Sequence, residues 1–156
     1  MLYIMSIRNS VKAIIIDKDK ILLTKNKDDL GIFYLLPGGG QEKFEDMHEA
    51  LRRECYEEIS CDIEIKDIRF VRDYIGQRHE FAELDDGTHQ IEYMFECSLA
   101  ENSVPRNGSI PDGAQIDVEW IPLSQLSDIR IYPSDLKEVI RKNGTFENKI
   151  YIGAVN

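Results

Sequence analysis

The feature that most limits the fold is a backbone break, Pro37-Gly38-Gly39-Gly40, set ahead of a helix that carries acids in its apolar face. The residue before a proline avoids the helical region, and glycine reaches backbone shapes closed to other residues. The short apolar strand predicted at Phe33–Leu36 therefore stops here. A helix is predicted from Met47 to Ile59, with Asp46 as N-cap and Glu49 three positions on to complete an approximate capping box. At about 100° per residue, Ala50, Leu51, Cys55 and Ile59 fall in one arc of about 180°, the face a core would bury. Glu54 and Glu58 fall inside that arc and Glu57 on its edge. Glu49, Arg52, Arg53 and Tyr56 fall on the solvent side.

Acids on a solvated face need no explanation, but acids that interrupt a buried stripe do. Carboxylates one turn apart repel, and a charge buried without a partner costs several kcal/mol. Two arrangements satisfy them. Three converging carboxylates, Glu54, Glu57 and Glu58, suit a hard divalent ion such as Mg2+ or Mn2+, which prefers oxygen ligands. An ion-pair network with arginine serves as well. The glycine run reads two ways too: as a tight turn, or as a loop leading into a helix N-terminus, where backbone N–H groups receive phosphate oxygens.

The rest of the chain mixes strands and helices without regular βαβ alternation, which predicts an α+β or layered αβα fold in one domain, residues 1–156. Val11–Asp17 and Ile21–Thr24 are predicted to form a hairpin about the polar turn Asp17-Lys18-Asp19-Lys20. Ile63–Ile75 reads as one or two extended segments, His89–Ser98 as a strand and Glu101–Gln115 as the longest loop. Asp117–Ile121, with the single tryptophan Trp120, reads as a short strand. Pro133–Arg141 is expected to be a terminal amphipathic helix and Lys149–Val155 an edge strand.

Composition excludes several classes. The net charge is −10, from 19 Lys and Arg against 29 Asp and Glu, which argues against an extended nucleic-acid surface or an anionic membrane. It leaves room for a phosphate-bearing small molecule where a bound cation reverses the local field. No apolar run approaches the roughly 18 residues of a membrane span. Cys55, Cys61 and Cys97 form no CxxC pair, and His48, His79 and His89 form no HxxxH spacing. Buried free thiols in a reducing compartment, and a cytoplasmic location, are the expectation.

The stretch Gly39–Cys61, GGQEKFEDMHEALRRECYEEISC, resembles the Nudix box, G-x(5)-E-x(7)-R-E-U-x-E-E-x-G-U with U apolar. Gly39, Glu45, Arg53, Glu54, Glu57 and Glu58 stand in register, and Leu36-Pro37-Gly38 is similar to the family's lead-in. Ser60 stands where the box has glycine. Glycine is preferred there for a left-handed backbone, so serine is expected to cost about 1 kcal/mol. The hairpin before the box and the Glu119-Trp120-Ile121-Pro122-Leu123 strand after it extend the likeness loosely over most of the chain.

The resemblance implies a Nudix αβα sandwich with a mixed central sheet, and hydrolysis of a pyrophosphate bond in a nucleoside diphosphate linked to another moiety. It implies Mg2+ or Mn2+ held by Glu54, Glu57 and Glu58, and an ion pair between Glu45 and Arg53 that fixes the loop against the helix. It further implies that the backbone of Gly38, Gly39 and Gly40 lies at the site, with Gly39 allowing the turn. Glu57 is the first candidate for the base, followed by Glu58 and a distal acid, Asp112 or Asp117.

Two substrate signals of the family are absent. The proline of ADP-ribose-specific members is replaced by Gly76 and Gln77, and the tyrosine of dinucleoside-polyphosphate-specific members by Gln77, Arg78 and His79. Tyr74, Arg78, Phe81 and Tyr93 are candidates for a base-binding surface, each also explicable as packing or ordinary surface. The expected partner is a nucleotide-type small molecule, and Leu2–Met5 could pair with a second chain in a homodimer. Three other readings compete: a catalytically inactive ligand-sensing or interaction module on this fold, an isopentenyl-diphosphate isomerase using a cysteine such as Cys97, and an unrelated acidic binding domain.

Overall fold

A computed structural model describes residues 6–79, 87–111 and 113–156. Strands β1 (Arg8–Asp17) and β2 (Lys20–Asp28) form the expected hairpin. Lys18 and Asp19 both take positive φ, 48° and 63°, the paired left-handed residues that match a two-residue turn to strand twist. The two strands pair only at Ile16↔Ile21 and Asp17↔Lys20. They then diverge, which opens one continuous sheet into two leaves.

One leaf contains β1, β4 (Gly38–Gly40), β5 (Ile63–Ile75), β6 (His89–Leu99) and β9 (Tyr151–Ala154). The other contains β2, β3 (Gly31–Leu35), β7 (Gln115–Pro122) and β8 (Ile131–Tyr132). The sheet is mixed: β1 pairs with β6, β3 with β8 and β5 with β9 in parallel, and the remaining pairs are antiparallel. This is the expected α+β architecture with a mixed central sheet.

Successive residues of β1 face opposite sides. Val11, Ala13 and Ile15 pack with Ala50, Leu51, Cys55 and Ile59 of helix α1 (Met47–Ile59). Ile14 packs on the other side with Phe70, Met94, Ile131 and Leu136. Burying each of these larger side chains contributes about 1.5–3 kcal/mol. The same alternation sends Arg8, Ser10 and Lys12 to the Ile14 side, where the core gives way to a cleft.

Helix α1 runs as predicted. The Asp46 carboxylate accepts the Glu49 N–H at 2.8 Å. At the other end Ser60 adopts the left-handed conformation, φ 56° and ψ 34°, and donates its N–H to Tyr56 O at 3.2 Å. The strain expected of a side chain there is therefore present. Ser60→Gly is expected to raise stability by about 1 kcal/mol, read as a rise of about 2–4 °C in Tm. An unchanged or lowered midpoint would show that the serine compensates its own backbone.

Three expectations are corrected. The triglycine is not a loop feeding the helix: it is strand β4, paired with β1 through Ser10↔Gly40, Val11↔Gly39 and Lys12↔Gly38, and residues 41–46 separate it from α1. The terminal helix predicted at Pro133–Arg141 shrinks to α2, Leu136–Val139, because Ile140 turns extended to bridge Phe146. β-Branched Ile140 suits that extended backbone. Arg53, placed on the solvent side by the helical wheel, is only 26% exposed, because its long side chain folds back along the helix. The expected edge strand is β9, which pairs with β5. The homodimer expectation rested on Leu2–Met5, which lie outside the described residues.

Candidate active site

The two leaves enclose a cleft of about 480 Å³. Its floor is the polar end of the first leaf, with Arg8 and Lys12 from β1, Gln90 and Glu92 from β6, and Arg72 and Tyr74 from β5. The second leaf and the turn after β8 supply Asp28, Phe33, Leu35, Arg130, Tyr132 and Pro133. Asn156 closes one side. Gly38, Gly39, Gly40, Glu54 and Glu58 form the remaining edge, so two of the three helix acids open onto the cleft.

Arg53 organises the acids. Its Nε and Nη2 donate to Glu45 Oε2 and Oε1 at 3.1 and 2.7 Å, a bidentate pair that ties the loop before the helix to the helix itself. Nη2 also donates to Gly40 O at 3.1 Å. Nη1 reaches Glu54 Oε1 at 3.0 Å and Glu57 Oε2 at 3.4 Å. Hydrogen bonding from Arg53 holds the Glu45 carboxyl below its ordinary value, and the same contacts push the arginine further toward its charged form.

Glu58, 5% exposed, accepts the Gly38 N–H through Oε2 at 3.2 Å. Glu54 packs face-on against Gly39, where a Cβ would lie 2.6 Å from its carboxylate. Only glycine admits that approach. The side-chain exposures of Glu54 and Glu57, 15% and 29%, follow the order of the helical arc. The three acids do not converge, and no group of three acidic, histidine or cysteine side chains among the described residues is placed to hold an ion. Arg53 is the reason: its guanidinium stands as a positive charge between Glu54 and Glu57 while Glu58 turns to Gly38. The donor set, three glutamate carboxylates of which Glu54 is admitted against the strand by Gly39, has the all-oxygen chemistry that Mg2+ or Mn2+ takes.

The helix end that carries Glu57 and Glu58 is fixed by the segment between β6 and β7. Arg106, Gly108 and Ile110 donate their N–H groups to Ile59 O, Glu58 O and Glu57 O at 3.1, 2.9 and 3.3 Å. Gln115 Nε2 adds a bond to Glu58 O at 2.8 Å. These are the carbonyls a helix terminus leaves without partners. A Cβ on Gly108 would sit 1.8 Å from Glu57 O, so glycine is required for the contact.

Other expected residues lie elsewhere. Asp117 is exposed on β7, accepts the Val118 N–H at 2.8 Å and does not line the cleft, while Asp112 lies outside the described residues. Tyr74 lines the cleft. Tyr93 packs against the core beneath α1, Arg78 is exposed in a 3₁₀ turn, and Phe81 lies outside the described residues. All three cysteines are buried and free. Burial, reinforced by Glu96, pushes the Cys97 thiol up to about 12, and Cys97 is not among the residues that line the cleft, where an isomerase would need its cysteine.

The sequence reading missed Arg8, Lys12, Arg72, Glu92 and Arg130. A signal existed for two of them, since Arg8, Ser10 and Lys12 recur at period two in a strand otherwise rich in Val, Ala and Ile.

A family model described as the NUDIX domain matches residues 6–142. The chain belongs to the NUDIX family. That excludes the reading of an unrelated acidic domain and places the chain among the Nudix pyrophosphohydrolases, a superfamily that acts on nucleoside diphosphate-linked compounds. The nucleoside triphosphatase NudI of Enterobacter sp. (strain 638) is 31% identical over 139 residues, covering 86% of this chain and 92% of that protein. NudI of Salmonella newport (strain SL254) is 32% identical over 111 residues, covering 68% of this chain and 79% of its own. A NUDIX hydrolase from Nitrosomonas europaea shares the fold at a TM-score of 0.68 and 18% identity, over 95% of this chain and 80% of that one. The MutT protein of Methanosarcina mazei Go1 does so at 0.63 and 20%, over 84% and 88%. Among the described residues no helix is long and apolar enough to cross a membrane.

Proposed function

We propose that this NUDIX chain is a divalent-metal-dependent hydrolase of a nucleoside triphosphate or related nucleotide derivative. The observation that carries the reading is the retention of Glu54, Glu57 and Glu58 on a helix face whose Glu54 and Glu58 open onto a cleft floored by cations. The likeness to nucleoside triphosphatases over most of the chain supports a triphosphate as the first substrate to try. Glu54, Glu57 and Glu58 are the residues that would hold Mg2+ or Mn2+. A bound ion supplies positive charge that neutralises the bridging phosphates and makes the attacking water more acidic.

The chain's own groups do the rest. Arg53 sets the orientation of Glu54 and Glu57, and through Glu45 and Gly40 O it fixes the helix against β4. Glu58 is the proton acceptor the cleft geometry favours over Glu57, because Glu58 lines the cleft and Glu57 does not. Its Oε2 is oriented by the Gly38 N–H. The aromatic wall of Phe33 and Tyr132, with ring centroids 6.0 Å apart and Arg130 over both, offers a surface for a nucleobase.

The test is product release from a panel of nucleoside triphosphates, ADP-ribose, dinucleoside polyphosphates and nucleotide sugars, with Mg2+ or Mn2+ and with EDTA. Hydrolysis of at least one nucleotide, abolished by EDTA and restored by added metal, is the expected result. Binding without turnover across the panel would favour a ligand-sensing module instead.

A further inference from the structure

The cleft floor holds two cations that no acid among the described residues pairs with. Of the four that line it, Arg72 is buried against Glu92, and Arg130 pairs with Asp28 at 2.6 Å. Neither Arg8 nor Lys12 has a carboxylate within ion-pair distance among the described residues, although the chain carries 29 acids. Both sit on the cleft face of β1, directly across β4 from the helix acids. Lys12 Nζ donates to Gly38 O at 3.1 Å, and Glu58 accepts the N–H of the same glycine, so one residue of backbone separates ammonium from carboxylate. The Arg8 guanidinium lies over Gly40, where a Cβ would fall 1.8 Å from Nη2. A strand made only of glycines lets cations from one side and acids from the other meet a ligand in the same space.

We propose that Arg8 and Lys12 are substrate-binding residues that hold the phosphate chain, with Lys12 next to the bond that Glu58 serves. The proposal rests on the hydrolase reading for its substrate class, but it makes a separate claim about binding. The ligand chemistry is a run of phosphates. Arginine's planar fork takes two phosphate oxygens at once and lysine acts as a point charge. Four residues apart on one strand, their Cα atoms are separated by about 13 Å. A chain of three phosphates therefore reaches both side chains, while a single phosphate reaches one.

Two measurements on the full chain test this. Calorimetric titration with inorganic tripolyphosphate, in EDTA and again in Mg2+, is expected to show binding in at least one buffer, tighter than orthophosphate. Arg8→Met and Lys12→Met each weaken it at least fivefold, and Lys12→Arg restores most of the loss. With the hydrolysed nucleotide, each methionine variant is expected to raise KM about tenfold while kcat falls by less. Neither side chain holds an ion pair, and Lys12→Met gives up one hydrogen bond, to Gly38 O, worth about 1 kcal/mol, so the variants are expected to melt within about 4 °C of the wild type. Absence of tripolyphosphate binding in the wild type in both buffers, or equal affinity in the wild type and the double variant, overturns the assignment. A wild type that binds tripolyphosphate through these residues but hydrolyses no nucleotide keeps the assignment and removes the hydrolase reading instead.

Discussion

Glu58→Gln is expected to lower kcat by roughly 10²–10⁴-fold, the range for removing a positioned general base, while the protein keeps its fold. The separation of the two effects follows from geometry. Glutamine is the same size as glutamate and retains a carbonyl oxygen that can accept the Gly38 N–H at 3.2 Å. The buried hydrogen bond therefore survives, while the charge is lost, and with it the proton-accepting capacity and an anionic oxygen for the metal, so the Mg2+ requirement is expected to rise here too. Glu54→Gln and Glu57→Gln are expected to cut turnover by a comparable factor, and also to raise the Mg2+ concentration needed for half-maximal rate, as weakened oxygen ligands would. Steady-state kinetics across a metal titration, with melting curves as control, reads all three. Any of these glutamates replaced with wild-type turnover leaves the mechanism.

Arg53→Met is expected to destabilise the chain by roughly 3 kcal/mol, the lower end of the range for leaving buried charge unpaired. For a chain of this size that is a fall of about 6–12 °C in Tm. One guanidinium hydrogen-bonds three carboxylates, Glu45, Glu54 and Glu57, whose side chains are 14%, 15% and 29% exposed, and stands 4.0 Å from a fourth, the exposed Glu42. Methionine fills similar volume but leaves all three without that partner and frees Gly40 O.

The effect carries a pH signature with a definite sign. Arg53 lowers the Glu45 pKa in the folded state, so its contribution is fully present above the ordinary carboxylate value of 4.5 and is lost as pH falls through and below it. The stability gap between wild type and Arg53→Met is therefore expected to narrow on acidification from pH 7 to below 4.5. Urea unfolding at several pH values measures it. A gap that stays constant would mean that packing of the arginine stem, and not its charge, stabilises the loop. Arg53→Lys is not expected to rescue, because a point charge cannot make the fork that reaches both Glu45 oxygens and Glu54 together.

Local chemistry makes much of this chain legible in its sequence. The limits of α1 followed from the Asp46 cap and from the buried spacing of Ala50, Leu51, Cys55 and Ile59, since both are set within a few residues of chain. The hairpin at Lys18-Asp19 followed for the same reason. The acids in the apolar arc also came through, because helical periodicity alone places Glu58 toward the interior. The α2 helix was over-read because the pairing of Ile140 with Phe146 depends on a turn beyond the window that sets helix propensity.

By itself, the sequence determined the acidic helix, the glycine strand's freedom from side chains and the family to which both belong. Tertiary structure decided which charges meet. Arg53 was solvent-facing on a helical wheel, yet it folds back onto three glutamates because Glu45 and Gly40 O arrive from a loop and a strand that no helix period describes. Arg8 and Lys12 look like ordinary polar positions in β1 until β4 pairs with it and α1 brings Glu54 and Glu58 to the far side of the same three glycines. Charge interactions act through space over a few ångströms, whereas sequence patterns report only neighbours along the chain. The helix could therefore be read from its residues, and the cleft it faces could be read only from the fold.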